Sequence, residues 1–416
     1  MWIQYAGQRV SRTFEVIMSG RAQRFFGIAI IALAAALVAG CSGSGSQSAA
    51  EKLLASVDAN WGLYTQDHGL PGGGMCVYLE TPAGNYFASS GMQAGIDQHT
   101  RFRIASNTKT FTSAAIMLLD QQGKLHIGDT IISVIPGQAV PYVPNTSQYD
   151  IPNKAGITIR QLLSHTAGVF DVTNEYIPDD RPVPYAGQNY AEYILATDPE
   201  HQFSPDELVG VDADCQLSYF SPGADYHYSN QGYSILATII ERVSGMPYDQ
   251  FVLQNLITPN GLSSTSVPML GTDQAIPYPF NPGYIYEYGV MTDVTQSNMS
   301  MNIAEGNIIS SPADLARWVR RLIRGEAGPD SASVNAMTTL TPQSGGNYGL
   351  GIVYLSGLGY GHNGAHAGYL SLMVYDPAAD VTTILYFNIW DVANLTTDQM
   401  QLLPKAARDA RAAVGY

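Results

Sequence analysis

Positive charge is scarce in this 416-residue chain. Twenty lysines and arginines face thirty-five acids, for a formal net charge of −15. The first forty residues hold four of the arginines and one acid, so the remaining sixteen bases face thirty-four acids, a net −18. Such a surface repels phosphate backbones and anionic bilayers, so nucleic acid is not an expected partner. Cysteine is nearly missing too. Apart from Cys41 there are only Cys76 and Cys215, which leaves one conceivable bridge whose formation the spacing does not decide. No His-Glu-x-x-His segment occurs, and glycines 361, 364 and 368 argue against a helix presenting His362 and His366 to one metal. Neither metal nor cofactor is expected. No Gly-x-Ser-x-Gly is present, which excludes a nucleophile elbow of the α/β-hydrolase kind. There are no internal repeats.

The amino-terminal forty residues read as a targeting segment. Arg21 and Arg24 precede the apolar stretch Phe25 to Val38, short for a membrane span and right for a signal peptide. It ends in Leu37-Val38-Ala39-Gly40-Cys41, a lipobox-like sequence that predicts cleavage before Cys41 and lipid on its sulfur. Met18 makes the better start, since residues 1–17 add nothing that a signal peptide needs. Residues 41–51, with the Gly/Ser-rich run Ser42 to Ser48, are expected to form a flexible tether. The expected location is the bacterial cell envelope, by a stable lipid anchor.

Residues 52–416 are too many for one typical core, which predicts two packed parts. An amphipathic helix is expected over Lys52 to Gln66, then a hairpin of Met75 to Glu80 and Tyr86 to Ser89 around Thr-Pro-Ala-Gly-Asn. Tyr348 to Leu355, His366 to Tyr375 and Val381 to Asn388 read as strands, with a last helix over Thr397 to Val414. The fold class is therefore α/β: an antiparallel sheet built from both termini (about 52–118 and 303–416), flanked by helices. The middle, about 119–302, reads as helix and long loop. Within it, the charge-poor Val267 to Asn302 fits a rim loop better than a substrate-facing one.

Ser106 is the sharpest chemical signal. It opens the apolar run Phe111 to Leu119, a buried helix that Gly123 ends. Positions i and i+3 share a helix face, so Lys109 lies beside the Ser106 hydroxyl. The first turn also aims unpaired N–H groups at whatever forms on that oxygen. A serine needs a neighbouring base to become a nucleophile, and a desolvated amine can be one. Alone the Ser-x-x-Lys pair is a weak signal.

In company it is a strong one. Tyr228-Ser229-Asn230 follows Ser221-Pro222-Gly223, and His362-Asn363-Gly364 comes later. This order resembles the penicillin-recognising serine hydrolases, which include class C β-lactamases, DD-peptidases and related esterases. Leu162-Leu163-Ser164-His165-Thr166-Ala167-Gly168 and the stretch Glu305 to Asp314 are similar in kind and order, so the resemblance runs from about Cys76 to Asn388. It implies a sheet domain with an all-α domain and the active site between them. It also implies an acyl-enzyme on Ser106, proton handling by Lys109 and Tyr228, and contacts from Asn230 to Lys109 and to the substrate. The oxyanion donors would be the backbone N–H groups of Ser106 and Ala365. His362, Asn363 and Gly364 would line the substrate. Gly364 is expected to keep the strand open to it, and His165 to be a buried hydrogen-bonding residue rather than a catalytic one.

His362 departs from the lysine usual in β-lactamases of this group, and Asn363 from the usual threonine. Both changes weaken the expected grip on a substrate carboxylate. No Glu-x-x-x-Asn segment of the class A kind is present. The expected activity is that of a D-alanyl-D-alanine carboxypeptidase on peptidoglycan peptides. A carboxylesterase, D-amino-acid amidase or β-lactamase with the same residues is the alternative. A penicillin binder that never turns over, or a scaffold, is a third.

Overall fold

The computed structural model describes residues 47–416. The signal peptide, Cys41 and most of the tether lie outside the described residues. Helix α1 (Ala49–His68) is followed by strands β1 (Met75–Thr81), β2 (Gly84–Ser90) and β3 (Phe102–Arg103), then α2 (Thr108–Gln121). The middle carries α3 (Ile159–Leu163), α4 (Tyr190–Leu195), α5 (Pro205–Cys215), α6 (Asn230–Ser244), α7 (Tyr248–Val252) and the hairpin β4 (Tyr284–Glu287) and β5 (Val290–Asp293). The last part holds β6 (Ile309–Ser310), α8 (Pro312–Ile323), α9 (Ser331–Thr338), β7 (Val353–Leu355), β8 (Gly359–His366), β9 (Tyr369–Asp376), β10 (Val381–Phe387), β11 (Ile389–Asp391) and α10 (Met400–Ala413).

The main sheet is six-stranded and antiparallel, in the order β2-β1-β10-β9-β8-β7. Strands from both ends of the chain meet at β1 and β10, as the pattern predicts. Period-two alternation divides β1 between two cores. Met75, Val77 and Leu79 pack with Leu53, Val57 and Trp61 of α1 and with Leu403 and Ala407 of α10. Cys76 and Tyr78 face the larger core, with Phe111, Ile116, Ile235 and Trp318. Both faces of the sheet are covered, which is why β10 is buried throughout and β9 at every residue but its last.

Several expectations need correction. Ser48 belongs to α1 rather than to a tether: its Oγ accepts from the Glu51 N–H while the Glu51 carboxylate accepts from the Ser48 N–H. That reciprocal cap satisfies two orphan donors and starts the helix early. Strand β7 is short, because Tyr348 turns back to make a bridge with Val353. The expected His366–Tyr375 strand starts at Tyr369, after a turn through Gly368 at φ +82°. The middle is not helix and loop alone, since β4 and β5 form a second sheet with β11. Buried Arg103 holds that segment, donating from Nη2 to the carbonyls of Gln274 (2.6 Å) and Thr295 (3.0 Å). Cys76 and Cys215 are both free and sit in separate cores, so no bridge joins them.

Candidate active site

Ser106 lies in a 3₁₀ turn, Ala105–Asn107, that runs straight into α2. Ala105 takes φ +49°, a left-handed conformation that a residue with a side chain holds only when its surroundings enforce it. They do. Asn107 Nδ2 donates to the Ile104 carbonyl (2.7 Å) and to Ser371 Oγ on β9 (2.8 Å). The Ile308 N–H donates to Thr108 Oγ1 (3.2 Å), and the Ile104 N–H to the Ile308 carbonyl (3.1 Å). The pairing of β3 with β6 extends this clamp.

Ser106 stays partly exposed while Lys109, one turn on, is wholly buried. Lys109 Nζ stands 3.1 Å from Ser106 Oγ, 2.7 Å from Asn230 Oδ1, 2.9 Å from the Glu305 carbonyl and 3.2 Å from Glu305 Oε2. Burial pushes the Lys109 amine below its ordinary value, opposed by the Glu305 carboxylate. Burial pushes the Glu305 carboxyl up, opposed by Lys109. Both partners are driven toward their neutral forms, which eases movement of the proton from Nζ to Oε2.

Tyr228 is packed between these groups. Lys109 Nζ lies 4.7 Å from its ring centre, and the His165 ring 4.1 Å away on centroids. Burial holds the phenol protonated well above its ordinary value, with a Ser106 hydrogen bond opposing. The sequence left the choice of base between Lys109 and Tyr228 open. The environment favours Lys109, because burial makes the amine easier to neutralise and the phenol harder to ionise.

Asn230 opens α6. Its Oδ1 accepts from Lys109, its backbone N–H donates to Asp171 Oδ2 (2.9 Å), and its Nδ2 donates to Thr173 Oγ1 (3.2 Å). Thr173 in turn donates to Asp171 Oδ1 (2.8 Å). Asp171, Thr173 and Glu305 are the site residues that reading the sequence missed. Glu305 had a signal, a single acid inside Ile303-Ala304-Glu305-Gly306, but nothing local ties it to Lys109.

His362 is buried on β8. Its Nδ1 meets the Asn363 carbonyl and its Nε2 lies 3.0 Å from the Tyr348 hydroxyl. Burial, then the Lys109 charge, lowers its pKa to about 3. It is a neutral imidazole with both nitrogens engaged, which corrects the expectation of a part-charged group for a carboxylate. Gly364 has a packing reason of its own. A Cβ there would stand 2.7 Å from Ser371 Oγ and 2.9 Å from Asn107 Nδ2, and nearer still to the Ile104 carbonyl. The glycine lets β8 lie against the turn that carries Ser106, and Ala365 beside it is exposed. His366 goes elsewhere, with Nε2 3.2 Å from Ser297 Oγ. His165 is buried and hydrogen-bonded, as expected.

A buried amine, a protonated phenol and a partly exposed hydroxyl at one point suit nucleophilic acyl transfer. Comparison with known proteins agrees. The family model described as Beta-lactamase matches residues 50–403. The penicillin-binding protein PbpX of Bacillus subtilis is 26% identical over 350 residues, covering 83% of this chain and 78% of that protein. Penicillin-binding protein 4* of the same organism is 28% identical over 292 residues, covering 66% and 57%. Among solved structures, a D-stereospecific amidohydrolase from Streptomyces sp. superposes with a TM-score of 0.69 at 26% identity, covering 86% of this chain and 98% of that one. A D-amino acid amidase from Ochrobactrum anthropi gives 0.67 at 21% identity, covering 88% and 99%. A match of this extent, on an antiparallel sheet that carries the Ser106 constellation, means that the chain belongs to the beta-lactamase family and has the fold of its serine hydrolases.

Proposed function

We propose that the protein is an amidase that forms an acyl-enzyme on Ser106, acting on derivatives of D-amino acids whose leaving group carries no carboxylate. One observation carries this reading: His362 is buried with both its ring nitrogens engaged within the protein, and that burial disfavours its charged form. A β-lactam or a D-alanyl-D-alanine peptide presents a carboxylate beyond the scissile bond, and a neutral imidazole without a free N–H offers it little. A simple amide presents none. The Streptomyces structure, titled a D-stereospecific amidohydrolase, supports the same class.

In the proposed sequence Ser106 Oγ attacks the carbonyl carbon as its proton passes to neutral Lys109. The C–O bond forms, and the carbonyl π pair becomes an oxyanion held by the Ser106 and Ala365 N–H groups. The C–N bond then breaks and the proton reaches the leaving nitrogen by way of the Tyr228 hydroxyl. Water releases the acyl group by the reverse route, restoring the serine proton. Asn230 and Glu305 hold Nζ against the Ser106 hydroxyl and over the Tyr228 ring.

The second reading is a D-alanyl-D-alanine carboxypeptidase, favoured by the two Bacillus subtilis relatives named as penicillin-binding proteins. Steady-state rates on D-phenylalanine amide, a D-Ala-D-Ala peptide and p-nitrophenyl butyrate, with intact mass after penicillin, separate the readings. The expected result is a kcat/KM for the D-amide above that for the peptide. The reverse order supports the carboxypeptidase, ester turnover alone an esterase, and a lasting penicilloyl adduct without turnover a binder.

We also propose export and lipid attachment at Cys41, on the lipobox-like Leu37-Val38-Ala39-Gly40 before it. Cys41→Ala should release the protein from membranes or block its processing. A wild-type protein recovered soluble with an unmodified cysteine overturns this.

A further inference from the structure

Three hydrogen bonds join parts of the chain that no local pattern connects, and a fourth, between neighbouring residues, ends the series. The Ser229 N–H donates to His165 Nδ1 (3.1 Å), and His165 Nε2 lies 3.1 Å from the Tyr348 hydroxyl. That hydroxyl lies 3.0 Å from His362 Nε2, and His362 Nδ1 meets the Asn363 carbonyl. The two outer groups are of fixed polarity, since a backbone N–H only donates and a carbonyl only accepts. His165 Nδ1 must therefore be bare, and in a ring that accepts there the proton sits on Nε2. His362 Nδ1 must carry a proton. Tyr348 has one proton and stands between two Nε2 atoms, with the Tyr233 hydroxyl, which gives its own proton to the Leu163 carbonyl (2.9 Å), also beside it. It can accept from His165 and donate to His362, and this assignment leaves no donor facing another donor.

We infer that His165, Tyr348 and His362 form one directed hydrogen-bond chain, and that Tyr348 is the positioning residue at its centre. The chain runs from Ser229, between Tyr228 and Asn230, to β8, which carries Ala365. It thus sets the oxyanion donor against the groups that move the proton. His165 also packs its ring against Tyr228 at a tilt, and it is held at φ +57° with its carbonyl accepting from the His227 N–H (3.0 Å). A residue with a side chain keeps that conformation only where its neighbours over-determine it. All three ring systems are buried, so water does not compete for these bonds. His362 would act through its acceptor and donor pattern, not through charge. This rests on the proposed roles of Ser106 and Ala365.

The test has a spectroscopic arm and a kinetic arm. In ¹⁵N-resolved spectra of the wild-type protein near neutral pH, His165 should be the Nε2–H tautomer and His362 the Nδ1–H tautomer. Tyr348→Phe should shift both Nε2 resonances together and lower kcat by about tenfold with little change in KM, the size expected for one net hydrogen bond. At position 362, Gln offers an acceptor and a donor, whereas Lys only donates. His362→Gln should retain about tenfold more kcat than His362→Lys, again one bond's worth. Either histidine in the other tautomer, or doubly protonated, overturns the chain. An unchanged kcat in Tyr348→Phe, or Lys outperforming Gln, overturns the positioning role. The wild-type spectrum and the two position-362 variants decide the matter if Tyr348→Phe does not fold. Labelling of wild-type Ser106 by a fluorophosphonate is the control. Its failure would count against the acyl-enzyme reading and leave the tautomers as they stand.

Discussion

Lys109 and Glu305 form an ion pair sealed inside the protein: Nζ lies 3.2 Å from Oε2, with the two side chains 0% and 3% exposed. A buried pair is costly to desolvate, and losing one partner leaves the other charge stranded. Here the stranded partner would be the amine that also touches the Ser106 hydroxyl. Glu305→Gln should cost about 3–5 kcal/mol, less whatever Lys109 recovers by giving up its proton. The carboxylate raises the Lys109 pKa in the native protein, so its loss should move the acid limb of kcat/KM to lower pH. Urea melts and a pH–rate profile measure both. A limb that stays in place would show that Glu305 does not act on the base.

Ser106→Ala should abolish labelling by a serine-directed phosphonate and leave the melting temperature nearly unchanged. The hydroxyl is partly exposed and caps no helix, so removing it opens no cavity. Labelling that persists in this variant would move the nucleophile elsewhere.

Gly364→Ala should impair activity and stability together. The added Cβ meets Ser371 Oγ, Asn107 Nδ2 and, nearest, the Ile104 carbonyl, a backbone atom that leads into the Ser106 turn. Overpacking of this kind costs about 1–3 kcal/mol, read by denaturant melts beside acylation rates. A variant with wild-type acylation would mean that β8 can back away from the turn without consequence.

Acid should destabilise the fold through its neutral histidines. Burial lowers the pKa of His362 to about 3, against 6.5 in an open chain. Above pH 6.5 neither state binds the proton, so the full stability is present. Between pH 6.5 and 3 the unfolded chain binds it and the native one does not, so stability falls as pH falls. The slope approaches about 1.4 kcal/mol per pH unit, or about 2 kcal/mol by pH 5. His366, also lowered to about 3 by burial and by Arg103, adds in the same direction. Urea melts at pH 7 and pH 5 of the wild type and His362→Gln should show a smaller loss in the variant. Equal losses would mean that His362 is protonated in the folded state.

What the sequence determined by itself is what short-range geometry controls. Ser106 and Lys109 meet because three residues of helical backbone bring them to one face. The β1–β2 hairpin formed where alternation and a turn signal predicted it, and the motif order carried the family. Tertiary structure decided everything that depends on partners distant along the chain. Glu305 reaches Lys109 across 196 residues, and His165 reaches Tyr348 across 183. No periodicity encodes such a meeting, so Asp171, Thr173 and Tyr348 looked like ordinary residues and nothing near Glu305 named its partner. The same limit explains the misreading of His362. Its residue type says that it can carry charge near neutral pH, but only burial among Tyr348, Asn363 and Lys109 decides that it does not.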